Sequence, residues 1–380
     1  MGRTVRGARV TLVATLALIA AVAACSMPGT PTANTDYSHA TITASHTVKT
    51  KGLTAGGAAV ASPNGRLVFF SRGGRPCLLT VADGSTTCAP ADTPVTADAS
   101  TAQWAPDSSA VAFTDDFRRY LHEPDIWLMD AEDGSARDLT DDGESDITFS
   151  GTLAAPIDLN PTWTDPSTIV FARQQGRKEA SADLMSVPAS GGKAHTLGRL
   201  DTSVLYLNAM VASPDGSLLA YSVSDDRYRT AEVHLRSLPD GTDTVVLQAD
   251  HDASLLSFSA DGRYLLVTSI APGVTYEPDR TSDATVVTVA DHTAAPVAAD
   301  GSAWSPAWSP TGHALVFLSI TASDKTNKTA LHVLAEPGAT ARRITGGAGA
   351  VIVGQQVRWT PSGIILRTRD GVRALTVTTS

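Results

Sequence analysis

The fold of this 380-residue chain is decided by a short stretch, Val211-Ala212-Ser213-Pro214-Asp215-Gly216-Ser217-Leu218-Leu219-Ala220-Tyr221-Ser222. It contains an apolar strand end, a Ser-Pro-Asp-Gly turn and a second apolar strand. Proline presets the φ angle of the turn, aspartate accepts a local backbone hydrogen bond, and glycine adopts the positive φ that closes the hairpin. The mostly apolar run after the turn is typical of a strand buried on both faces. The stretch therefore predicts a tight hairpin between two core strands.

Six further stretches repeat this combination of turn and apolar strand. They contain the turns Ser62-Pro63-Asn64-Gly65, Ala105-Pro106-Asp107-Ser108, Thr164-Asp165-Pro166-Ser167, Ser259-Ala260-Asp261-Gly262, Ser309-Pro310-Thr311-Gly312 and Thr360-Pro361-Ser362-Gly363. An aromatic residue precedes the turn in five copies, as Trp104, Trp163, Phe258, Trp308 and Trp359, and we expect these rings to pack between repeats. A period of roughly 40–50 residues that contains only strand patterns is typical of a β-propeller.

Each repeat has room for four strands, except the last. After a third strand over Val372–Val377 the chain ends, and its fourth strand is missing. A β-prone segment at Ile42–Lys49 precedes the first repeat and is available to supply it. Pairing the two chain ends in one blade would close the ring and remove exposed strand edges. We therefore predict an all-β, seven-bladed β-propeller of four-stranded blades, with six blades as the alternative if the third or fifth repeat is not a true blade.

Composition excludes one class of partner. The formal net charge is −10, with 29 basic and 39 acidic residues. Binding to nucleic acid requires a basic surface, so a nucleic-acid partner is excluded. The same acidity disfavours adhesion to anionic lipid through charge alone. The repeats indicate one domain, because each blade buries its faces only against its neighbours, and we expect a monomer.

Residues 1–24 resemble the signal peptide of bacterial lipoproteins. Arg3, Arg6 and Arg9 precede an apolar core, which ends in the lipobox-like sequence Val22-Ala23-Ala24-Cys25. The resemblance implies cleavage before Cys25, acylation of its sulfur and amine, and anchoring to the outer face of the bacterial cytoplasmic membrane. Two or three acyl chains would give a firm anchor where one would be marginal. The alternative is an ordinary secretory signal followed by an incidental cysteine.

The rest of the chain divides into two parts. Residues 25–39 contain almost no apolar side chains and are predicted to be a flexible tether. Residues 40–380 are predicted to form the propeller. The expected location is therefore outside the cytoplasm, with the membrane contacted through the lipid anchor only.

Cys77 and Cys88 flank the predicted hairpin between the third and fourth strands of the first blade. A turn near Asp83-Gly84 would place the two cysteines nearly opposite each other, within reach of a disulfide. With Cys25 assigned to lipid, two cysteines remain in an oxidising compartment, and an even number allows both to pair in one disulfide. Two free thiols are the alternative.

Three segments of the second repeat resemble the propeller repeat of the TolB family, a periplasmic component of the Tol–Pal envelope system. They are the stretch from Trp104 to Phe113, Asp125-Ile126-Trp127-Leu128-Met129-Asp130, and Arg137-Asp138-Leu139-Thr140. The resemblance covers about residues 55–380 and implies a propeller. It implies no site, because the matching residues belong to turns and core. The chain departs from the family in lacking an evident N-terminal α/β domain.

No catalytic, metal-binding or cofactor-binding motif is evident. The sequence contains no Gly-x-Ser-x-Gly elbow, phosphate-binding loop, dinucleotide fingerprint or His-Glu-x-x-His motif. The nine histidines are scattered without metal-ligand spacing. The acidic stretch Asp138–Asp146 could be a calcium loop or a solvated loop, and it lacks the EF-hand spacing. We therefore predict no catalytic residue, no metal and no cofactor.

The connections between the second and third strands of the repeats are long and charged, unlike the tight turns that contain Pro and Gly. They include 115–124, 173–179, 225–229, 276–280 and 324–328. These connections share one face of the predicted propeller, which we call the long-loop rim. Long loops on a rigid scaffold concentrate function, and Arg and Tyr are enriched at binding hot spots. The candidate binding residues are Arg118, Arg119, Tyr120, His122, Arg173, Arg177, Asp225, Arg227, Tyr228, Arg229, Tyr276 and Asp279.

The favoured interpretation is a non-catalytic binding or scaffold protein that recognises a protein or cell-envelope partner through this rim. One alternative is a propeller enzyme of the lyase or lactonase type with polar groups at the channel mouth. Another is a protein that binds a small ligand or a sugar there. The loops could also vary freely and bind nothing.

Overall fold

The computed structural model describes fourteen stretches, which cover most of the chain from Tyr37 onwards. They are residues 37, 39–50, 53, 58–115, 124–141, 156–175, 181–225, 229–249, 252–270, 283–298, 303–320, 329–346, 356–368 and 371–378. The predicted leader and Cys25 lie outside them.

The described strands form seven sheets, one for each predicted blade, and their strands pair antiparallel except for one short strand in blade 7. Blade 1 contains β2 (Ala59–Ala61), β3 (Leu67–Arg72), β4 (Arg75–Thr80) and β5 (Thr86–Cys88); blade 2 contains β6 (Ala97–Trp104), β7 (Ala110–Asp115), β8 (Ile126–Asp130) and β9 (Ala136–Asp138); blade 3 contains β10 (Pro156–Asp165), β11 (Thr168–Gln175), β12 (Ala182–Pro188) and β13 (His195–Leu200). Blade 4 contains β14 (Leu207–Ala212), β15 (Leu218–Ser224), β16 (Ala231–Ser237) and β17 (Asp243–Ala249); blade 5 contains β18 (Asp252–Phe258), β19 (Tyr264–Ile270), β20 (Asp283–Thr288) and β21 (Ala294–Pro296); blade 6 contains β22 (Ala303–Trp308), β23 (Leu315–Ile320), β24 (Thr329–Leu334) and β25 (Arg342–Arg343).

The third and fifth repeats each form a four-stranded sheet. The seven-bladed propeller is therefore confirmed, and the six-bladed alternative is wrong. A short 3-10 turn, Val204–Tyr206, leads from blade 3 into blade 4.

Blade 7 is completed by the N-terminal strand, as predicted. It contains β27 (Val357–Thr360), β28 (Gly363–Thr368), β29 (Gly371–Thr378) and β1 (Thr41–Lys49). Strand β1 pairs antiparallel with β29, from Thr41 opposite Thr378 to Lys49 opposite Gly371. A fifth strand, β26 (Thr345–Gly346), pairs parallel with the start of β1 and was not predicted. The added strand covers part of the outer edge of β1.

Among the described residues, the core consists of seven apolar clusters, each packed between two neighbouring blades. Between blades 1 and 2, for example, the rings of Phe69 and Phe113 lie 5.1 Å apart and are fully buried. Both faces of a blade are covered by its neighbours. This arrangement explains why the second strands of the repeats are almost continuously apolar.

Three of the recurrent tryptophans join their own blade to the one before it by a hydrogen bond. Trp104 donates its indole N–H to the carbonyl of Val60 at 2.8 Å, and Trp163 donates to Gln103 at 2.8 Å. Trp308 donates to the carbonyl of Ser257 at 2.9 Å. In each pair the acceptor belongs to the preceding blade. It is the residue directly before the one that corresponds to the tryptophan in the repeat. The predicted packing between blades is confirmed, and each of these rings also supplies a specific hydrogen bond.

The glycine of the turn serves two purposes, as Gly216 shows. Its φ is +69°, a conformation that other residues rarely adopt. A Cβ atom built on it would also lie 2.5 Å from the carbonyl oxygen of Thr164 in blade 3. A side chain here would therefore strain the turn and force neighbouring blades apart.

Candidate functional site

The connections between strands fall on two opposite rims, because successive strands of a blade run in opposite directions. The short-turn rim carries the connections from first to second strand and from third to fourth strand. The long-loop rim carries the connections from second to third strand and from each blade to the next. The first strands of neighbouring blades lie closest together and form the inner ring.

The long-loop rim is itself uneven. In five consecutive blades, 2 to 6, connections of six to twelve residues join the second strand to the third. They are residues 116–125, 176–181, 225–230, 271–282 and 321–328. In blades 7 and 1, two-residue hairpins replace them, at 369–370 and 73–74. The long connections therefore occupy a continuous arc, which is broken only where the chain closes the ring.

Three of the twelve candidate binding residues lie in the described part of the chain, namely Arg173, Asp225 and Arg229. Asp225 and Arg229 form a loose ion pair of 3.8 Å beside the connection of blade 4, and the Arg229 side chain is 62% exposed. The other nine lie outside the described residues, and their role stays a prediction. They are Arg118, Arg119, Tyr120, His122, Arg177, Arg227, Tyr228, Tyr276 and Asp279.

Arg173 is held by an acidic partner that the sequence did not indicate. Its Nε and Nη2 atoms donate to the two carboxylate oxygens of Asp158 at 2.7 and 2.5 Å. Asp158 is 1% exposed and lies on the neighbouring strand β10. A bidentate pair of this kind fixes the guanidinium in one orientation. Arg173 is therefore part of the floor of the long-loop rim at blade 3.

Beside this pair, carboxyl groups of blade 2 are crowded and desolvated. Burial, together with the charges of Asp138, Asp158 and Asp115, raises the pKa of Asp125 to about 8. Burial is also the largest influence on Asp138, whose pKa is raised to about 6. Asp125 accepts a hydrogen bond from the Thr140 hydroxyl at 3.1 Å. Asp125 is thus protonated over part of the neutral range, because its charged form is costly here.

The acidic stretch Asp138–Asp146, whose sequence allows a calcium loop or a solvated loop, begins in this region. The Oδ1 atom of Asp138 accepts the backbone amides of Thr140 and Asp141 at 3.0 and 2.9 Å. It therefore ends the fourth strand as a turn cap, and the remainder of the stretch, 142–146, lies outside the described residues. Within the described parts of the chain, no group of three or more His, Cys, Asp or Glu side chains could hold a metal ion.

Aspartates have a different role on the short-turn rim. At eight turns an aspartate carboxylate accepts the backbone amide two residues further on, at 2.7 to 3.2 Å. These residues are Asp83, Asp107, Asp133, Asp165, Asp215, Asp240, Asp261 and Asp291. At Asp133, for example, hydrogen bonds from Ser135 lower the pKa of the carboxyl group. Caps with a lowered pKa, such as Asp133, stay charged at neutral pH and add negative charge to this rim.

Two His–Asp pairs resemble parts of a catalytic site, but their order differs from that of a triad. His313 Nδ1 lies 2.7 Å from Asp261, and the Ser259 hydroxyl donates to the same carboxylate at 2.6 Å. The aspartate thus lies between the serine and the histidine, whereas a catalytic triad needs the histidine in the middle. Ser259 also accepts the backbone amide of Tyr264, which makes it a turn residue.

The second pair lies in blade 4 and was missed by the sequence analysis. Asp243 accepts the Tyr221 hydroxyl at 2.5 Å and lies 2.9 Å from His234 Nδ1. Burial opposes ionisation, but hydrogen bonds from His234 and Tyr221 lower the pKa of Asp243. Arg236 contacts the same carboxylate and fits beside Gly198 of blade 3. This network joins two blades and offers no free nucleophile.

A groove of 390 Å³ lies on the short-turn rim between blades 7 and 1. Its floor is largely apolar and includes Val81, Ile365 and Leu375, while His46 and Arg66 stand at its edge. It is separated from the long-loop rim by the length of a blade. None of the candidate binding residues lines it.

The predicted pairing of the two cysteines of blade 1 agrees with the structure. Cys77 and Cys88 are directly opposite in the register of β4 and β5, and their sulfur atoms are bonded. Cys77 is fully buried. The bridge therefore ties together the third and fourth strands of the blade.

The fold and these sites define the class of the protein, which is a seven-bladed β-propeller. No family model matches the chain, and no curated protein matches it. Within the described residues, no helix is long and apolar enough to cross a membrane.

Similarity to solved structures is distant and is informative about the fold alone. An oligogalacturonate lyase in complex with manganese is 12% identical with a TM-score of 0.55, covering 88% of this chain and 90% of that one. A chain of the mitotic checkpoint complex is 11% identical with a TM-score of 0.54, covering 97% and 100%. TolB from Acinetobacter baumannii is 14% identical with a TM-score of 0.42, covering 84% of this chain and 63% of that one.

Proposed function

We propose that this chain is an exported, lipid-anchored propeller that binds a protein or cell-envelope partner through the long-loop rim, without catalysis. One observation carries the proposal. Connections of six to twelve residues occur between the second and third strands of five consecutive blades, and two-residue hairpins replace them in blades 7 and 1. A continuous arc of long loops on a rigid ring is the arrangement from which propellers and other scaffolds bind macromolecules.

The chemistry around this arc supports recognition of a partner. The candidate residues include several Arg and Tyr side chains, the types enriched at binding hot spots. At the long-loop end of blade 3, the Arg173–Asp158 pair provides a rigid, charged floor. The described His–Asp pairs lie elsewhere and are used in turns and between blades, which favours binding over catalysis.

The first experiment tests the anchor. Mass spectrometry of the protein purified from its native host should show acyl groups on Cys25 and loss of residues 1–24. The Cys25→Ser variant should lose the acyl groups and leave the membrane fraction. A mature protein that starts at another residue, or that carries no acyl group, would contradict the anchor.

The second experiment tests the rim. A photo-crosslinking residue would replace Tyr120 or Tyr228 on the long-loop rim, and Glu132 or Lys193 on the short-turn rim as matched controls. We expect specific cross-links in intact cells from the first pair only. Equal cross-linking from both rims would contradict the assignment. A bound divalent metal together with cleavage of an acidic polysaccharide by the purified protein would instead favour the lyase alternative.

A further inference from the structure

The direction of β1 determines on which rim the N-terminal segment arrives. Strand β29 begins after the two-residue hairpin at the long-loop rim and ends at Thr378 on the short-turn rim. Because β1 is antiparallel to β29 and Thr41 lies opposite Thr378, β1 starts at the short-turn rim. The residues that precede Thr41 therefore reach the propeller on that side.

Tyr37 shows where on this rim the segment is held. Its side chain is 8% exposed and packs edge-on against Trp359, with ring centres 5.2 Å apart. Its hydroxyl lies 3.5 Å from the hydroxyl of Ser309. Trp359 is the last residue but one in the first strand of blade 7, and Ser309 begins the turn after the first strand of blade 6. Tyr37 is therefore fixed near the inner ring, between two blades, and differs in this from the predicted flexible tether 25–39 to which it belongs.

The chain between Cys25 and Tyr37 is short compared with the propeller. Twelve peptide steps reach at most about 40 Å when fully extended. If the long-loop rim faced the bilayer, the chain would have to run from Tyr37 outward across the four strands of a blade. It would then have to run along the length of those strands to the other rim, a total path of roughly 35–40 Å. That path needs nearly complete extension, which costs conformational entropy. The geometry therefore favours one orientation strongly.

The charge of the short-turn rim adds a second constraint. Its eight capping aspartates are exposed or half-buried, and the carboxyl groups of seven of them have a lowered pKa, with hydrogen bonds as the main lowering influence. A surface with this charge is repelled by anionic lipid headgroups. The rim would thus face the bilayer without lying on it, at a distance that the chain between Cys25 and Tyr37 allows.

We infer that an acyl anchor on Cys25 turns the short-turn rim towards the membrane and presents the long-loop rim away from it. This inference rests on the proposed anchor and narrows the class of partner. The partner is a soluble or wall-bound macromolecule that approaches from outside the membrane. A protein embedded in the same bilayer, with little mass outside it, would contact the short-turn rim instead of the long-loop rim.

Energy transfer to the bilayer tests the orientation. Gln175 and Lys193 are exposed positions at opposite ends of blade 3. A fluorophore on Gln175→Cys or Lys193→Cys would be measured in acylated full-length protein, reconstituted in vesicles of phosphatidylglycerol and phosphatidylcholine that contain a lipid-bound acceptor. We expect clearly higher transfer efficiency from position 193 than from position 175. Insertion of twenty Gly and Ser residues after Gly29 should abolish the difference.

The outcomes separate the two proposals. Equal transfer from both positions in acylated protein, or stronger transfer from position 175, overturns the orientation and leaves the anchor intact. Absence of acyl groups on Cys25 refutes the anchor, and the orientation with it. Loss of the difference in the insertion variant alone would confirm that the length of the N-terminal segment sets the orientation.

Discussion

The two rims of this propeller hold aspartates in contrasting electrostatic environments. On the short-turn rim, aspartates such as Asp133 are exposed, accept turn amides and have a lowered pKa. On the long-loop rim, Asp125 is desolvated among other carboxyl groups, and its pKa is raised to about 8. The charged form of Asp133 stabilises the folded state, whereas the charged form of Asp125 destabilises it. Charged aspartates such as Asp133 are thus tolerated in the turns of one rim, whereas at the other rim the charged form of Asp125 is costly.

The largest expected effect comes from the ion pair below the long loops. Arg173→Met should lower the free energy of unfolding by about 3–5 kcal/mol, because it leaves the buried carboxylate of Asp158 without its cation. Urea titration would measure the loss. The matched control is Arg229→Met at the exposed pair with Asp225, with an expected loss of about 0–1 kcal/mol. Similar losses in the two variants would show that the floor of this rim is not specially stabilised.

A smaller effect is expected from the disulfide near the long-loop end of blade 1. The double variant Cys77→Ala and Cys88→Ala should lose about 2–3 kcal/mol, because the bridge restricts the unfolded chain. Thermal unfolding of the variant and of the oxidised protein would be compared. Two thiols that react in the denatured, unreduced protein would contradict the bridge.

The contrast between Asp125 and Asp133 predicts that the two residues change the free energy of unfolding with pH in opposite directions. The pKa of Asp125 is raised, so the folded state binds its proton more tightly and the free energy of unfolding falls as pH rises from about 4 to 8. Asp125→Asn should therefore stabilise the protein by about 1–2 kcal/mol at pH 8 and have little effect at pH 4. Urea titrations at the two pH values would measure this difference.

The control for this prediction is Asp133→Asn on the other rim. The pKa of Asp133 is lowered, so its contribution is present above pH 4 and is lost as pH falls. This variant should be less stable than the parent protein at neutral pH. A stabilising effect of both substitutions, or of neither, would remove the distinction between the rims.

The smallest effect concerns a single turn cap. Asp215→Ala removes the acceptor of the Ser217 amide and the Ser213 hydroxyl, and should cost about 0.5–1.5 kcal/mol. Asp215→Asn keeps one acceptor oxygen and should lose less. If alanine has no effect in thermal unfolding, the caps are not what maintains the regular rim.

The turns, rings and strands that recur along the chain could be predicted from the sequence. The side-chain pairs that depend on contacts between strands could not. The turn at Pro214, the ring of Trp163 and the closing strand at Ile42 all follow from local pattern, because each recurs or has a missing counterpart. The Arg173–Asp158 pair depends on the register of two strands, so Arg173 was predicted only as a binding residue. The short hairpin at Gly73-Gly74 was visible in the sequence, and it would have shown that the arc of long loops is incomplete.

The network of Tyr221, His234 and Asp243 illustrates the same limit. The three side chains come from three successive strands and meet only because those strands are in one register. No spacing rule along the sequence connects them. Once strand pairing is known, Tyr221 is found opposite His234, and Asp243 lies close by at the start of β17.

The antiparallel pairing of β1 with β29 has a mechanical consequence. If lipid holds the chain at one rim and a partner holds the ring at the other, tension between them runs along β1. Pulling a strand along its own length loads all the hydrogen bonds of its ladder together, whereas pulling across it would break them one by one. The strand that closes the ring is thus oriented to resist a force applied through the lipid anchor.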